Sequence, residues 1–237
     1  MRSQEVVTET GRFGDEINLK IKTPSTKYLD EFIKLRCAPT LLQAGYFPNA
    51  KEITESIGGF RAVQNILQDQ FSNPRVGAIV VGDGHTPRTG AMIAVRTRWT
   101  VYSIDPSASH VGDLTIKNLK VVKSRVEEFI PPRDIDIAVI VGVHSHGPIH
   151  GLWHFYESLG IARIAVAIPC CVELGTGMPY PDQDYQDYGI WSPERRVLVW
   201  LSKELQHVPS PVQEGRKRSE LHSTEDAGSN RIMPQAS

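Results

Sequence analysis

The sequence holds only three cysteines, Cys37, Cys170 and Cys171, and the last two are adjacent. Neighbouring cysteines rarely bridge each other, so a disulfide framework is not expected and reduced thiols in a cytoplasmic setting are. The chain also lacks any apolar run near the ~20 residues that a membrane-crossing helix needs. Its start, Met1-Arg2-Ser3-Gln4-Glu5, has no apolar stretch of the signal-peptide kind. Nor is there an excess of either charge. With 26 basic and 27 acidic residues the formal net charge is -1, which removes a global electrostatic pull toward nucleic acid and leaves only local basic faces.

What is present is ordinary globular material. Hydrophobic residues make up 40% and charged residues 22% of 237 residues, enough for one substantial α/β domain and too little for two. Residues 1–24 read as a loose arm with a short strand at 17–21, and residues 25–75 as a helical extension. Within that extension Ser25 is placed to cap a first helix carrying Tyr28, Phe32 and Leu35. A second helical stretch covers 51–71, broken at Gly58-Gly59 and ended by Asn73-Pro74. The extension reads as a cap over one sheet edge, with a substrate-recruiting arm as the alternative. Residues 207–237, polar and without periodic apolar positions, are expected to be disordered.

Residues 76–206 alternate strands and helices, the signature of a mostly parallel sheet covered on both faces. Strands are expected at 76–81, 99–104, 119–122, 135–143 and 161–168, with helical segments at 88–96, 124–129 and 149–159. A terminal hairpin follows, with a strand at 188–191, a turn at 192–195 and a strand at 197–201. Five parallel-type strands with a C-terminal hairpin describe a Rossmann-like sheet of about seven strands, as in class I methyltransferases.

The first strand runs into Gly82-Asp83-Gly84-His85-Thr86-Pro87 and then into a helix. Glycines there let the backbone approach a ligand at the carboxyl end of the sheet. A dinucleotide fingerprint needs Gly where Pro87 stands, which weakens a pyrophosphate reading. Asp105 ends the second strand about 20 residues on, where a carboxylate accepts the hydroxyl protons of a ribose. A bare turn at Asp105-Pro106 is the simpler alternative. After the third strand, Ser124 or Arg125 lies where a nucleobase would sit, although Ser124 as a helix cap is the simpler reading. The fourth strand ends at His144-Ser145-His146-Gly147-Pro148 and the fifth at Pro169-Cys170-Cys171, so these tips share one sheet edge.

These tips resemble a branch of the class I S-adenosylmethionine-dependent methyltransferases with a His-x-Cys-Gly tip and a later Cys-Cys tip, which includes tRNA 2′-O-methyltransferases. The resemblance covers residues 76–172 and departs from the pattern at His146, where that branch has Cys, and at Val-Glu-Leu after Cys171. The acidic residue usual two positions before the first glycine is Val80. The resemblance implies S-adenosylmethionine as cofactor and suggests RNA as acceptor. Gly82, Asp83, Gly84 and His85 would surround its methionine and ribose, Asp105 the ribose hydroxyls, and Ser124 and Arg125 the adenine.

Methyl transfer requires the acceptor to be positioned and, where needed, deprotonated. His144 and His146 are the candidate bases, because imidazole titrates near neutral pH. A zinc site from these histidines and the two thiols is set aside, since the spacing matches no common structural finger. The Asp/Asn-Pro-Pro-aromatic tip that orients exocyclic amines is absent, which tilts the acceptor away from adenine and cytosine amines. Lys117, Lys120, Lys123 and Arg125 form a local basic set, read first as a solvated face. The expected function is thus methyl transfer to an unidentified acceptor, RNA slightly favoured. The alternative is a catalytically silent module of the same fold that binds protein or RNA. An NAD-linked oxidoreductase is disfavoured by Pro87 and the terminal hairpin.

Overall fold

A computed structural model describes residues 4–10, 16–22, 25–109, 116–170 and 177–206. Seven strands form the main sheet: β3 (Val76–Val81), β4 (Thr100–Ile104), β5 (Leu119–Val122), β6 (Ile137–Val143), β7 (Ala162–Ile168), β8 (Gln183–Gln186) and β9 (Arg196–Leu201). Their order across the sheet is β5-β4-β3-β6-β7-β9-β8. The first five are parallel, whereas β9 runs antiparallel to both β7 and β8. Two further strands, β1 (Gln4–Thr10) and β2 (Glu16–Lys22), pair antiparallel in a separate sheet; β2 includes the stretch expected to be extended.

All of β3, and β6 up to Gly142, is buried. Their unbroken apolar runs, without polar alternation, follow from having helices on both faces. On one face Val76, Ala78, Val80, Val139, Val141, Val166 and Ile168 meet α1 (Lys27–Ile33), α3 (Ala50–Leu67) and α4 (Arg88–Arg96) through residues such as Phe32, Ile57, Phe60 and Ile93. On the other, Ile79, Val81, Ile140 and Ala165 meet Leu152, Trp153 and Tyr156 of α5 (His150–Ser158). A short helix, α2 (Ala38–Gln43), joins α1 to α3 and has no counterpart in the sequence reading.

Five expectations change. The second helix is continuous through Gly58-Gly59 instead of breaking there. A Cβ at Gly58 would come within 2.7 Å of Ile190, and one at Gly59 within 3.0 Å of Val143, so the glycines permit close packing. Nor is α3 an edge cap: it packs across one face of the sheet, with Gly59 against Val143 and Val141 of β6, and its Glu55 reaches His144 at the carboxyl end of that strand. The first helix is flanked by Thr26 and begins at Lys27; Ser25 accepts from the Lys27 N–H at 3.3 Å without being the capping residue. The expected helix at 124–129 is only a single 3-10 turn, Val126–Glu128, with Arg125 at its cap position, because Pro131-Pro132 follow too closely for a longer helix.

The fifth change concerns the hairpin. Its first strand is β8, upstream of the expected 188–191 stretch. Residues 187–191 instead anchor the N-terminal helices: the Asp187 carboxylate accepts from Lys27 Nζ at 2.7 Å, Gly189 N–H at 2.9 Å and the Tyr28 hydroxyl. Trp191 donates from its backbone N–H to Thr54 and from its indole N–H to the Ser25 carbonyl, at 3.0 and 3.1 Å. Ile190 is fully buried beside Gly58. Ile190 therefore marks a core contact, and the strand falls to the polar edge segment Gln183–Gln186, where Asp184 pairs with Arg196 at 2.6 Å.

Candidate functional site

The chain leaves β3 for β4 and β5 on one side and returns to β6 on the other, so the crevice of an open α/β sheet lies at the carboxyl end of β3. Gly82 and Gly84 both adopt left-handed backbone there, with φ of +66° and +83°. The Gly82 N–H donates to the Ile104 carbonyl at 2.8 Å, tying the turn to the end of β4. Above Gly82 sits Ser145, 1% exposed, whose Oγ would lie 2.2 Å from any Cβ added at Gly82. Only glycine satisfies both the conformation and the space.

Between the two glycines, the Asp83 carboxylate turns inward. It accepts from the backbone N–H groups of Thr89 and Gly90 at 2.9 and 2.8 Å and from the Ser103 hydroxyl at 2.8 Å. Thr89 and Gly90 lie in the first turn of α4, whose cap position is Pro87, with no side-chain cap of its own. Asp83 thus caps α4 from outside the helix. Burial pushes its carboxyl above the ordinary range, against the pull of those three bonds. The Arg88 guanidinium donates to the Asp83 carbonyl at 3.2 Å and to the Glu52 carboxylate of α3.

Asp105, 9% exposed, joins the same turn from β4. One carboxylate oxygen accepts from the Gly84 N–H at 2.9 Å and the other from the Ser107 N–H and hydroxyl, at 2.7 and 2.5 Å. The His85 ring lies in the same loop, its Nδ1 3.0 Å from the Ser107 carbonyl and its Nε2 2.9 Å from the Ser109 hydroxyl. A carbonyl can only accept, so Nδ1 carries the proton and Nε2 accepts. Beyond β5, Ser124 Oγ is buried without a hydrogen-bond partner among the described residues, whereas Arg125 is exposed. Capping therefore does not account for the Ser124 hydroxyl.

At the end of β6 the two histidines part. His144 takes a left-handed φ of +49°, unusual for a residue with a side chain, while its N–H still donates to the Ile168 carbonyl of β7 at 2.8 Å. Its Nε2 lies 3.0 Å from Glu55 Oε1 on α3, within ion-pair distance but not lined up as a hydrogen bond. His146 is exposed, and its Nε2 lies 3.3 Å from the Cys170 sulfur after β7. Ser145, between them, accepts from the Gly147 N–H at 3.0 Å. Cys171 lies outside the described residues, and among those described no group of three His, Cys, Asp or Glu side chains gathers as a metal would require.

Sequence reasoning missed what α3 supplies. Glu52 meets Arg88, Ser56 meets Thr89 at 3.1 Å, and Glu55, 3% exposed, meets both His144 and Lys51. The available signal was the run Thr54-Glu55-Ser56, three polar residues on a turn that ends up fully buried. Burial pushes the Glu55 carboxyl up, but His144 and Lys51 outweigh it and hold the group below its ordinary value of 4.5. A carboxyl lowered in this way stabilises the fold above its unfolded value and loses that contribution as pH falls through the folded one. The acid limb of a pH–stability curve should therefore be shallower in Glu55→Gln than in the native chain; parallel limbs would contradict the pairing.

No family model matches the chain, and no curated protein matches it in sequence. Solved structures with similar folds include the N-terminal domain of human METTL16 in complex with SAH, at 12% identity and a TM-score of 0.40, covering 82% of this chain and 88% of that one. MtNAS in complex with MTA and tNA is 11% identical with a TM-score of 0.41, covering 75% and 69% of the two chains. The 23S rRNA methyltransferase ErmE is 14% identical with a TM-score of 0.37, covering 68% and 75%. At these values the likeness assigns this chain neither ligand nor reaction. Its own strand order, five parallel strands closed by the antiparallel β9 and β8, gives it the seven-stranded Rossmann-like methyltransferase fold.

Proposed function

We propose that the chain is an S-adenosylmethionine-dependent methyltransferase. The observation that carries this reading is the junction of Asp105 with the Gly82–Gly84 turn: the acidic end of β4 and the left-handed turn after β3 are joined at 2.9 Å, at the point where the sheet order reverses. A carboxylate offers about four acceptor positions. Three donors occupy Asp105, so one position is open to a ribose hydroxyl, and the Ser107 hydroxyl can yield a second. The orphaned Ser124 Oγ suits the adenine edge, with Arg125 beside it. Gly82, Gly84 and the His85 backbone would line the methionine and ribose, while the buried Asp83 holds the turn. When bound, the sulfonium supplies an activated methyl group that leaves with its bonding pair retained on sulfur.

His144 and His146 stand at the neighbouring tip, where the acceptor would be positioned and its proton removed. RNA is favoured as the acceptor, because Lys123 and Arg125, which flank Ser124 in the chain just beyond β5, are both exposed. A silent module of the same fold is the second reading, and the specific feature that favours it is Val80, fully buried where an acidic residue is usual.

Isothermal titration with S-adenosylhomocysteine tests the donor site. Binding by the native chain, weakened about tenfold or more in Asp105→Ala, is expected for a carboxylate that holds ribose hydroxyls. Absence of binding by the native chain would sink the reading. Radiolabelled methyl transfer to RNA, protein and metabolite extracts separates an enzyme from a silent module, which labels nothing.

A further inference from the structure

We propose that Glu55 is a positioning residue for His144: the α3 carboxylate holds the ring as the Nε2–H tautomer and leaves Nδ1 as the atom that receives the acceptor's proton. The acceptor half of this statement rests on the methyltransferase reading above; the tautomer half does not.

The geometry comes from two distant parts of the chain. Glu55 lies in the first half of α3, in the N-terminal extension, and His144 at the end of β6. Their side chains are 3% and 18% exposed, with Glu55 Oε1 and His144 Nε2 3.0 Å apart. Burying a carboxylate on the packed face of a helix is costly unless it is paired. Lys51, one turn earlier, already lies 3.1 Å from the same oxygen, so neutralising Glu55 does not by itself call for an imidazole. His144 adopts left-handed backbone, a conformation glycine would take at lower cost. The chain thus bears a conformational cost that places an imidazole against a carboxylate already paired with Lys51.

The proton assignment follows from donor and acceptor chemistry. An ionised carboxylate only accepts, so the imidazole nitrogen facing it must donate. Lys51, 3.1 Å from the same carboxylate, favours the ionised form of Glu55 despite its burial, whether or not the imidazole is charged. In a neutral ring the proton is then on Nε2 and the lone pair on Nδ1. As a hydroxyl or neutral amine acceptor takes the methyl group through its lone pair, its proton passes to Nδ1, and the imidazolium formed is balanced by Glu55. At 3.0 Å the two atoms are within reach of a hydrogen bond, and catalytic contacts of this kind tighten in the reacting complex. The acceptor class is therefore a protic oxygen or nitrogen.

Nitrogen-15 spectra of the full chain labelled on histidine, with the His144 signals assigned from His144→Gln, read the tautomer directly. The native chain should show His144 protonated on Nε2 at neutral pH. Glu55→Leu should lose that preference, and Glu55→Gln, whose amide oxygen can still accept, should keep it in part. A native Nδ1–H tautomer, or an unchanged tautomer in Glu55→Leu, overturns the proposal. Titration with S-adenosylhomocysteine supplies the second arm: affinity within about threefold of native in both variants supports a role apart from the donor, whereas a tenfold loss puts Glu55 in the donor site and overturns it. If the native chain binds no S-adenosylhomocysteine, the methyltransferase reading fails while the spectrum still decides the tautomer.

Discussion

Asp83→Ala should destabilise the protein by about 3–5 kcal/mol, seen as a fall of roughly 10 °C or more in Tm. The carboxylate is 4% exposed and satisfies three donors: the Thr89 and Gly90 N–H groups and the Ser103 hydroxyl. Alanine leaves all three without an acceptor in a buried place, each at about 1–3 kcal/mol before relaxation. Two of them belong to the first turn of α4, which has no other side-chain cap. The helix start, the glycine turn and β4 would loosen together, so S-adenosylhomocysteine binding should fall with stability. Asp83→Asn keeps the shape but turns one face of the group into a donor, and should lie between alanine and the native chain. A Tm within about 2 °C of native for Asp83→Ala would show that the carboxylate does not cap α4.

Gly82→Ala should cost about 3 kcal/mol from two separable sources. The left-handed φ of +66° alone costs about 1–2 kcal/mol for a residue with a Cβ. The new methyl would also stand 2.2 Å from Ser145 Oγ, 2.8 Å from its Cβ and 3.2 Å from its Cα, which cannot all retreat. A double-mutant cycle resolves the two. Ser145→Gly removes the side-chain clash, so Gly82→Ala should cost less in that background, with the conformational part remaining. Additive effects of the two substitutions would mean that Ser145 does not press on the turn. Urea unfolding of the four chains is the measurement.

The strands of the parallel sheet were readable in the residues themselves. The 76–81 and 119–122 readings coincide with β3 and β5, and the 88–96 helix with α4. The reason is physical: strands buried on both faces must be continuously apolar, and few other structures demand such short runs between turns. The hairpin formed, but its first strand, read at 188–191, was misplaced for a related reason. Apolarity reports burial but not its partner, and Ile190 is buried against Gly58 of a helix about 130 positions earlier rather than in a strand pair. The edge strand β8, all polar but for Tyr185, carried no apolar signal at all.

The sequence by itself determined the alternation of elements, the glycine turn after β3 and the acidic end of β4, because each is written locally in residue type and period. Only the tertiary structure decided what these groups face. Asp83 looked like a ligand contact and turns inward to α4, whereas Glu55, unremarkable in a helix, meets His144. His144 and His146, two positions apart, go to different partners, Glu55 and Cys170. Partners so distant along the chain leave no periodic trace, since their meeting depends on how α3 lies on the sheet.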